Sequence, residues 1–410
     1  MIERLPAVLL GLAGIAAGAI AHVSQANSQT PNRQELTRIP IVYIGIENDS
    51  RHEPIVGYAR LIIKERSRPV SGAQTGLLEA RSVERVANIT FALRKVFVAS
   101  DGDLPGRIDS LRRSGIRYFL LDAPDHAFAA IAQAVKGQDL LIFNISETSD
   151  ALRRHLCARQ FVHVIPSRSM LSDALVQHLV SRKWRRILVL EGPANADRDE
   201  AESFARSARK FGATVVTRKK FRAGNDPRNR EANNPALITA VGSDYDVIYI
   251  ADGAFEFART LEYRTARARP VVGSIGLVSA AWDWSWERHG APQVNNRFRK
   301  QSKGRRMQDA DWAAWMSIKM ISQAVLRAGA GDFSAQRKYI LGNNGFDGAK
   351  GAPASVRPWD QQLRQSILLA TANAVVATAP LPGFLHQFNR LDTLGDDRRD
   401  SPCRLDGPGT

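Results

Sequence analysis

The sequence predicts an α/β fold built as two doubly wound parallel-sheet lobes with a hinge and a ligand cleft between them. Three observations predict it. Short runs of Val, Ile and Leu without polar alternation recur along the chain, as strands buried on both faces of a parallel sheet do. Amphipathic stretches that end at glycine separate those runs. The runs are too many for one sheet of ordinary size, and a break near residues 157–160 divides them into two sets.

The expected strands, in order, are residues 39–46 (IPIVYIGI), 95–100, 117–123, 140–146 and 161–167. Then come 186–192 (RILVLEG), 214–221, 246–252 (DVIYIAD) and 270–278 (PVVGSIGLV). Helical patterns fill the gaps at 76–89, 109–115, 125–137, 172–183 and 196–212, several stopping at a glycine such as Gly137 or Gly212. Residues 310–329 form the longest helical pattern. From about residue 341 the chain is rich in Gly, Pro and Asp, so an irregular segment wrapping the surface is expected there.

The N-terminus reads as a secretory leader. Arg4 precedes an apolar run over residues 5–20, and Ser24-Gln25-Ala26 offers small residues where a signal peptidase cuts. Residues 1–26 are therefore expected to be a signal peptide, and the mature chain to work in the periplasm. An uncleaved anchor is the alternative, but the run is short and rich in Ala and Gly. What remains is long enough for two domains. Cys157 and Cys403 are the two cysteines, and an even pair in an exported chain suggests a disulfide.

Lys and Arg number 57 against 41 acidic residues, a formal charge of +16. Such an excess favours anionic small molecules, acidic proteins or membrane surfaces. Nucleic acid is not an expected partner of an exported chain. The basic residues are spread along the sequence, so compositional bias stands beside those readings.

Catalytic signatures are absent: no G-x-S-x-G, phosphate-loop, G-x-G-x-x-G or H-E-x-x-H pattern occurs, and the histidines are scattered. No enzyme activity, catalytic cofactor or metal site is expected. Ligands of open α/β sheets bind beyond the carboxyl ends of the strands, which singles out the loops there. Asp122 and Asp252 end strands, where carboxylates either cap a following turn or meet ligand. Ser146 and Thr148 follow LLIFN, and Arg51 and Arg198 lie on similar loops.

Five of the seven tryptophans fall within residues 282–315. Trp282, Trp284 and Trp286 would point one way on extended backbone, whereas only Trp282 and Trp286 share a face on a helix. Trp312 and Trp315 read mainly as packing. The basic run NNRFRKQSKGRR between them reads as a mostly solvated loop from which Arg305 is the best candidate for a ligand contact.

Several segments together resemble periplasmic solute-binding proteins of the branched-chain amino-acid-binding type, the type I fold. IPIVYIGI resembles the first strand of that family. LLIFNISETSDALR is similar to its segment of ligand-contacting hydroxyls, and residues 161–216 resemble the crossing into the second lobe. SDYDVIYIADG and DADWAAWMSIKMISQAVLRAGAGD resemble its ligand-facing strand and late long helix. NDSRHEP departs from the Gly-rich opening usual after strand one. RPWDQQLRQSILLA, WDWSW and the segment running into DWAAW resemble a divergent branch associated with pyrroloquinoline quinone (PQQ) and PQQ-dependent alcohol oxidation.

The resemblance implies lobe 1 over residues 36–158 with 273–335, lobe 2 over 159–272 with 336–395, and a tail over 396–410. It implies a monomeric, non-catalytic binding protein that takes PQQ or a small organic acid, with an ABC permease or a PQQ-dependent dehydrogenase as partner. A planar tricarboxylate needs aromatic faces and cations, which Trp282, Trp284, Trp286 and Arg305 would supply. An amino-acid ligand, or a ligand-free docking role toward a periplasmic dehydrogenase, remains the alternative.

Overall fold

The computed structural model describes residues 36–406 except Tyr58 and Asn225. The expected signal peptide, residues 1–26, lies outside the described residues. The strands are β1 (Thr37–Ile46), β2 (Ile55–Val56), β3 (Ile62–Lys64), β4 (Ile89–Val98), β5 (Tyr118–Asp122), β6 (Leu141–Asn144), β7 (Phe161–His163) and β8 (Arg186–Glu191). They continue with β9 (Thr214–Lys220), β10 (Val247–Ala251), β11 (Val271–Gly273), β12 (Val278–Ala280), β13 (Ser355–Val356), β14 (Leu363–Arg364), β15 (Ile367–Ala370) and β16 (Val375–Ala379). The helices are α1 (Val70–Ala87), α2 (Leu104–Arg113), α3 (Ala127–Ala134), α4 (Arg168–Ser181) and α5 (Asn195–Lys210). After them come α6 (Arg230–Asn233), α7 (Pro235–Thr239), α8 (Ala291–Gln301), α9 (Asp309–Ala328) and α10 (Phe333–Leu341).

Two parallel sheets carry the two lobes. The first runs β4-β1-β5-β6-β7 and the second β11-β10-β8-β9. Their strands are buried on both faces, as the unbroken apolar runs require: Val42 and Ile44 pack on one side of the first sheet, Ile41 and Tyr43 on the other. The first sheet takes in β7 (Phe161–His163), beyond the boundary expected at 158, whereas the second takes in β11, which ends at the boundary expected near 273.

In the first lobe α9 lies against α1. The helices approach so closely that a Cβ on Gly72 would sit 2.0 Å from the Asp311 carbonyl oxygen, and one on Gly76 would sit 2.7 Å from Ile318 Cβ. Glycine is required at both places. Trp312 and Trp315 are fully buried on α9, and Trp312 donates to the Gly348 carbonyl.

Two segments depart from expectation. The basic run is helical, not a loop: α8 spans most of it, with Pro292 in its first turn and Ala291, Val294 and Phe298 buried on one face. The segment after residue 341 is not a surface wrap. It supplies β15 and β16, which join β12 in a third, antiparallel sheet packed on α4, and its Leu363, Ile367, Leu368 and Leu369 are fully buried. Gly273 and Gly276, both with positive φ, divide the expected strand 270–278 into β11 and β12.

Three stretches of chain pass between the lobes: β7 to α4, β12 to α8, and α10 to β15. They lie side by side. The Gln365 amide donates to the Val164 carbonyl (2.7 Å), while Lys350 Nζ donates to Gln365 Oε1 (2.8 Å) and to the Ala281 carbonyl (2.9 Å). One buried lysine thus ties all three crossings. A disulfide joins Cys157, just before the first crossing, to Cys403 in the tail.

Candidate functional site

The C-terminal ends of the first sheet's strands point toward the second lobe, and the loops beyond them build one wall of a cavity of about 1460 Å³. Arg51 and His52 come from the loop after β1, and Ser146, Glu147 and Thr148 from the loop after β6. Asn144 shapes that second loop: its Oδ1 accepts from the Glu147 N–H and its Nδ2 donates to the Glu147 carbonyl. Lobe 2 contributes Arg168 at the start of α4, Arg259, the β11 edge and the turn between β15 and β16.

Beneath this wall lies Asp122, fully buried at the end of β5. Tyr43 donates to its Oδ2 at 2.5 Å, His52 Nε2 lies 2.8 Å from the same oxygen, and an Arg51 guanidinium nitrogen lies 3.3 Å from Oδ1. Burial alone would raise the carboxyl; the hydrogen bond and charge of His52, the charge of Arg51 and the Tyr43 hydroxyl outweigh it and lower the pKa from 3.8 to about 2. Arg51 also pairs with Asp49 and reaches Ser146 Oγ at 3.5 Å. Asp122 therefore positions Arg51 and His52; it does not line the cavity. Asp49, His52 and Asp122 have metal-ligand spacing, but the Arg51 guanidinium already holds both carboxylates.

Arg51, Ser146, Thr148, Trp282 and Trp284 line the cavity. Four other residues expected there lie elsewhere. Asp252 is buried under its own turn, with its carboxylate accepting from the N–H groups of Ala254, Phe257 and Ala258. It is a turn cap, because those amides would otherwise be unsatisfied. Arg198 is exposed on α5 and does not line the cavity. Trp286 is turned into the core and donates to the Ala349 carbonyl. Arg305 makes a two-pronged pair with buried Asp311 at 2.7 and 2.8 Å, facing the start of α9.

The tryptophans consequently do not form one flat surface. Trp282 is buried, with its indole N–H on Asn295 Oδ1 and its backbone N–H on Asp309 Oδ1. Trp284 carries the Arg306 guanidinium over its ring at 3.6 Å, and Trp184, not singled out from sequence, also lines the cavity. Arg306, the neighbour of the arginine singled out from sequence, is the one that lines the cavity.

Sequence reasoning placed Arg168 on a ligand-edge loop, where it does line the cavity, but missed Lys64, Arg66, Arg182 and Arg259. No local pattern distinguishes these from other surface cations; folding alone collects them. Seven Arg and Lys side chains line the cavity against the carboxylates Glu147, Glu262, Asp283 and Asp309. Asp309 is raised to about 6 by burial, partly offset by the Trp282 N–H and by Lys64 and Lys350. The arrangement suits binding of an anion. It contains no nucleophile paired with a base.

This is the fold of the two-lobed type I periplasmic binding proteins. Within that fold, the similar solved structures are solute-binding components of ABC transporters of the branched-chain amino-acid type. One is a branched-chain amino-acid ABC transporter periplasmic ligand-binding protein from Burkholderia xenovorans, 13% identical, covering 90% of this chain and 100% of that one, with a TM-score of 0.67. A solute-binding protein of an ABC transporter from R. palustris, solved with benzoate, is 10% identical over 90% and 100%, TM-score 0.60. A branched-chain amino-acid transporter substrate-binding protein from Streptococcus pneumoniae, solved with isoleucine, is 14% identical over 84% and 99%, TM-score 0.57. No protein-family model and no curated protein matches the chain.

Proposed function

We propose that this chain is a periplasmic solute-binding protein that captures an anionic small molecule between its lobes, and that PQQ is its ligand. One observation carries the reading: cations outnumber carboxylates around a cavity whose inner wall presents Arg51, Ser146 and Thr148. Guanidinium groups pair with carboxylates two-pronged, and the hydroxyls add donors. PQQ is flat and bears three carboxylates, so it matches the charge and can use the Trp284 face. Export to the periplasm belongs to the same reading and rests on the leader and the disulfide. The bound form would be handed to an ABC permease or to a PQQ-dependent alcohol dehydrogenase.

Trp282, Trp284 and Trp286 do not form the single stacking surface expected of them, which favours a second reading beside PQQ: a smaller aromatic or aliphatic carboxylate. The similar structure solved with benzoate supports it. Calorimetric titration and thermal shift with PQQ, benzoate and leucine separate the readings. PQQ binding at micromolar concentration with no response to leucine supports the first. Benzoate without PQQ supports the second, and no response to either anion rejects both.

A further inference from the structure

A second cavity of about 430 Å³ adjoins the main one, and the two share Trp284, Arg306, Met307 and Asn373 in their walls. Trp284 and Trp286 lie in the wall of the smaller cavity with Pro292 and Met307, and Arg299 from α8 adds a further cation. Trp286 and Met307 are nearly fully buried, so this part of the wall is rigid and apolar. Their polar neighbours are already engaged. The Asn295 amide bridges the Trp282 indole and the Trp284 carbonyl, and Trp286 Nε1 is held by Ala349. What the wall offers an occupant is aromatic surface and the guanidinium groups of Arg299 and Arg306, with the exposed Glu287 carboxylate and the Asn296 and Asn373 amides also in the lining.

The Arg306 guanidinium lies over Trp284 at 3.6 Å, the separation a stacked planar group would take. Arg306 is exposed, and its recorded contact is with this ring, so the side chain is free to rotate away. Arg305, next to it in sequence, is locked by Asp311. Of the two adjacent arginines, one is held by a buried carboxylate and the other is exposed and packed on a single ring.

We infer that this side cavity is a second subsite, specific for aromatic carboxylates, which opens when Arg306 leaves the face of Trp284. The ring stacks on Trp284, and Arg299 and the displaced Arg306 take the carboxylate. The inference rests on the anion-binding reading of the main cavity for its ligand class; Trp284 and Arg306 line both cavities, and Arg299 belongs to the smaller one alone.

Terephthalate and adipate test it, since both carry two carboxylates and only the first has a ring. Each is titrated calorimetrically into the wild-type protein, Arg51→Ala, Arg299→Ala, Trp284→Leu and Trp284→Phe. Terephthalate is expected to bind about tenfold more tightly than adipate, a difference near that of one good stacking or ionic contact. Arg299→Ala and Trp284→Leu should erase that preference, and Trp284→Phe should restore part of it. Arg299 is exposed, so its variant folds whatever happens at Trp284. Terephthalate binding that needs Arg51 but is indifferent to Arg299 and Trp284 overturns the subsite and leaves the main-cavity reading standing. Binding that needs Arg299 and Trp284 but not Arg51 does the reverse. Equal affinity for the two acids, or no binding of terephthalate, also overturns the subsite.

Discussion

Lys350 Nζ lies 2.8 Å from Gln365 Oε1, at the point where all three inter-lobe crossings meet. The lysine is buried, its ring neighbour is Trp312 at 3.6 Å, and burial pushes its pKa well below 10.5. It is a structural cation placed at the hinge, where any opening of the lobes must move its partners relative to one another.

Lys350→Met keeps the volume and removes the donors. The Ala281 carbonyl and Gln365 Oε1 would then lack their partner. A loss of about 1–3 kcal/mol is expected, the cost of leaving such groups unsatisfied. Thermal or urea unfolding measures it. An unchanged midpoint would show that the crossings hold without the lysine.

Asp122→Asn tests the network under the cavity. The carboxyl is lowered to about 2, so its contribution is fully present above 3.8 and is lost as pH falls through about 2. The wild-type protein should therefore lose stability toward strong acid in that window, and the variant should not show this component. At neutral pH the variant should be destabilised by about 2–3 kcal/mol, less than for a wholly buried pair because Arg51 is partly exposed.

Arg51→Ala should weaken the bound anion by about ten- to a hundredfold, the range for one charged hydrogen bond, and should also lower stability, because it removes a partner of the buried Asp122 carboxylate. Raising salt should weaken the wild-type complex. Equal affinities for both proteins would remove Arg51 from the ligand site.

Asp309 gives binding a pH dependence. Lys64, Lys350 and Asp283 are the charged groups that act on it, and its value of about 6 means it ionises as pH rises through that point. An ionised Asp309 repels an anionic ligand. Affinity should therefore be higher below pH 6 than above it, and Asp309→Asn should bind more tightly at neutral pH with a flatter profile. Titration calorimetry across the interval tests both.

The bridge between Cys157 and Cys403 closes a loop with a sequence separation of 246. Chain entropy sets its contribution at about 4–5 kcal/mol as an upper value. Reduction, or the double change to serine, should lower the unfolding midpoint and free the tail.

The two-lobed α/β architecture was legible because strands buried on both faces leave unbroken apolar runs, as in IPIVYIGI and DVIYIAD. The loops after β1 and β6 were legible for a topological reason: strand ends mark the ligand edge whatever the residues. The antiparallel sheet β12-β15-β16 was not, because its strands are short and β12 pairs with a strand far away in sequence.

What the sequence by itself determined is therefore the two-lobed layering, the alternation of strands and helices and the supply of cations and indoles. Which of them meet was decided by tertiary structure alone. Arg305 and Arg306 are adjacent and chemically identical, yet one is spent on Asp311 and the other faces Trp284. Asp122 and Asp252 both end strands, yet one steadies Arg51 while the other caps its own turn. The difference comes from long-range packing, which fixes what each side chain can reach, and no local spacing records it.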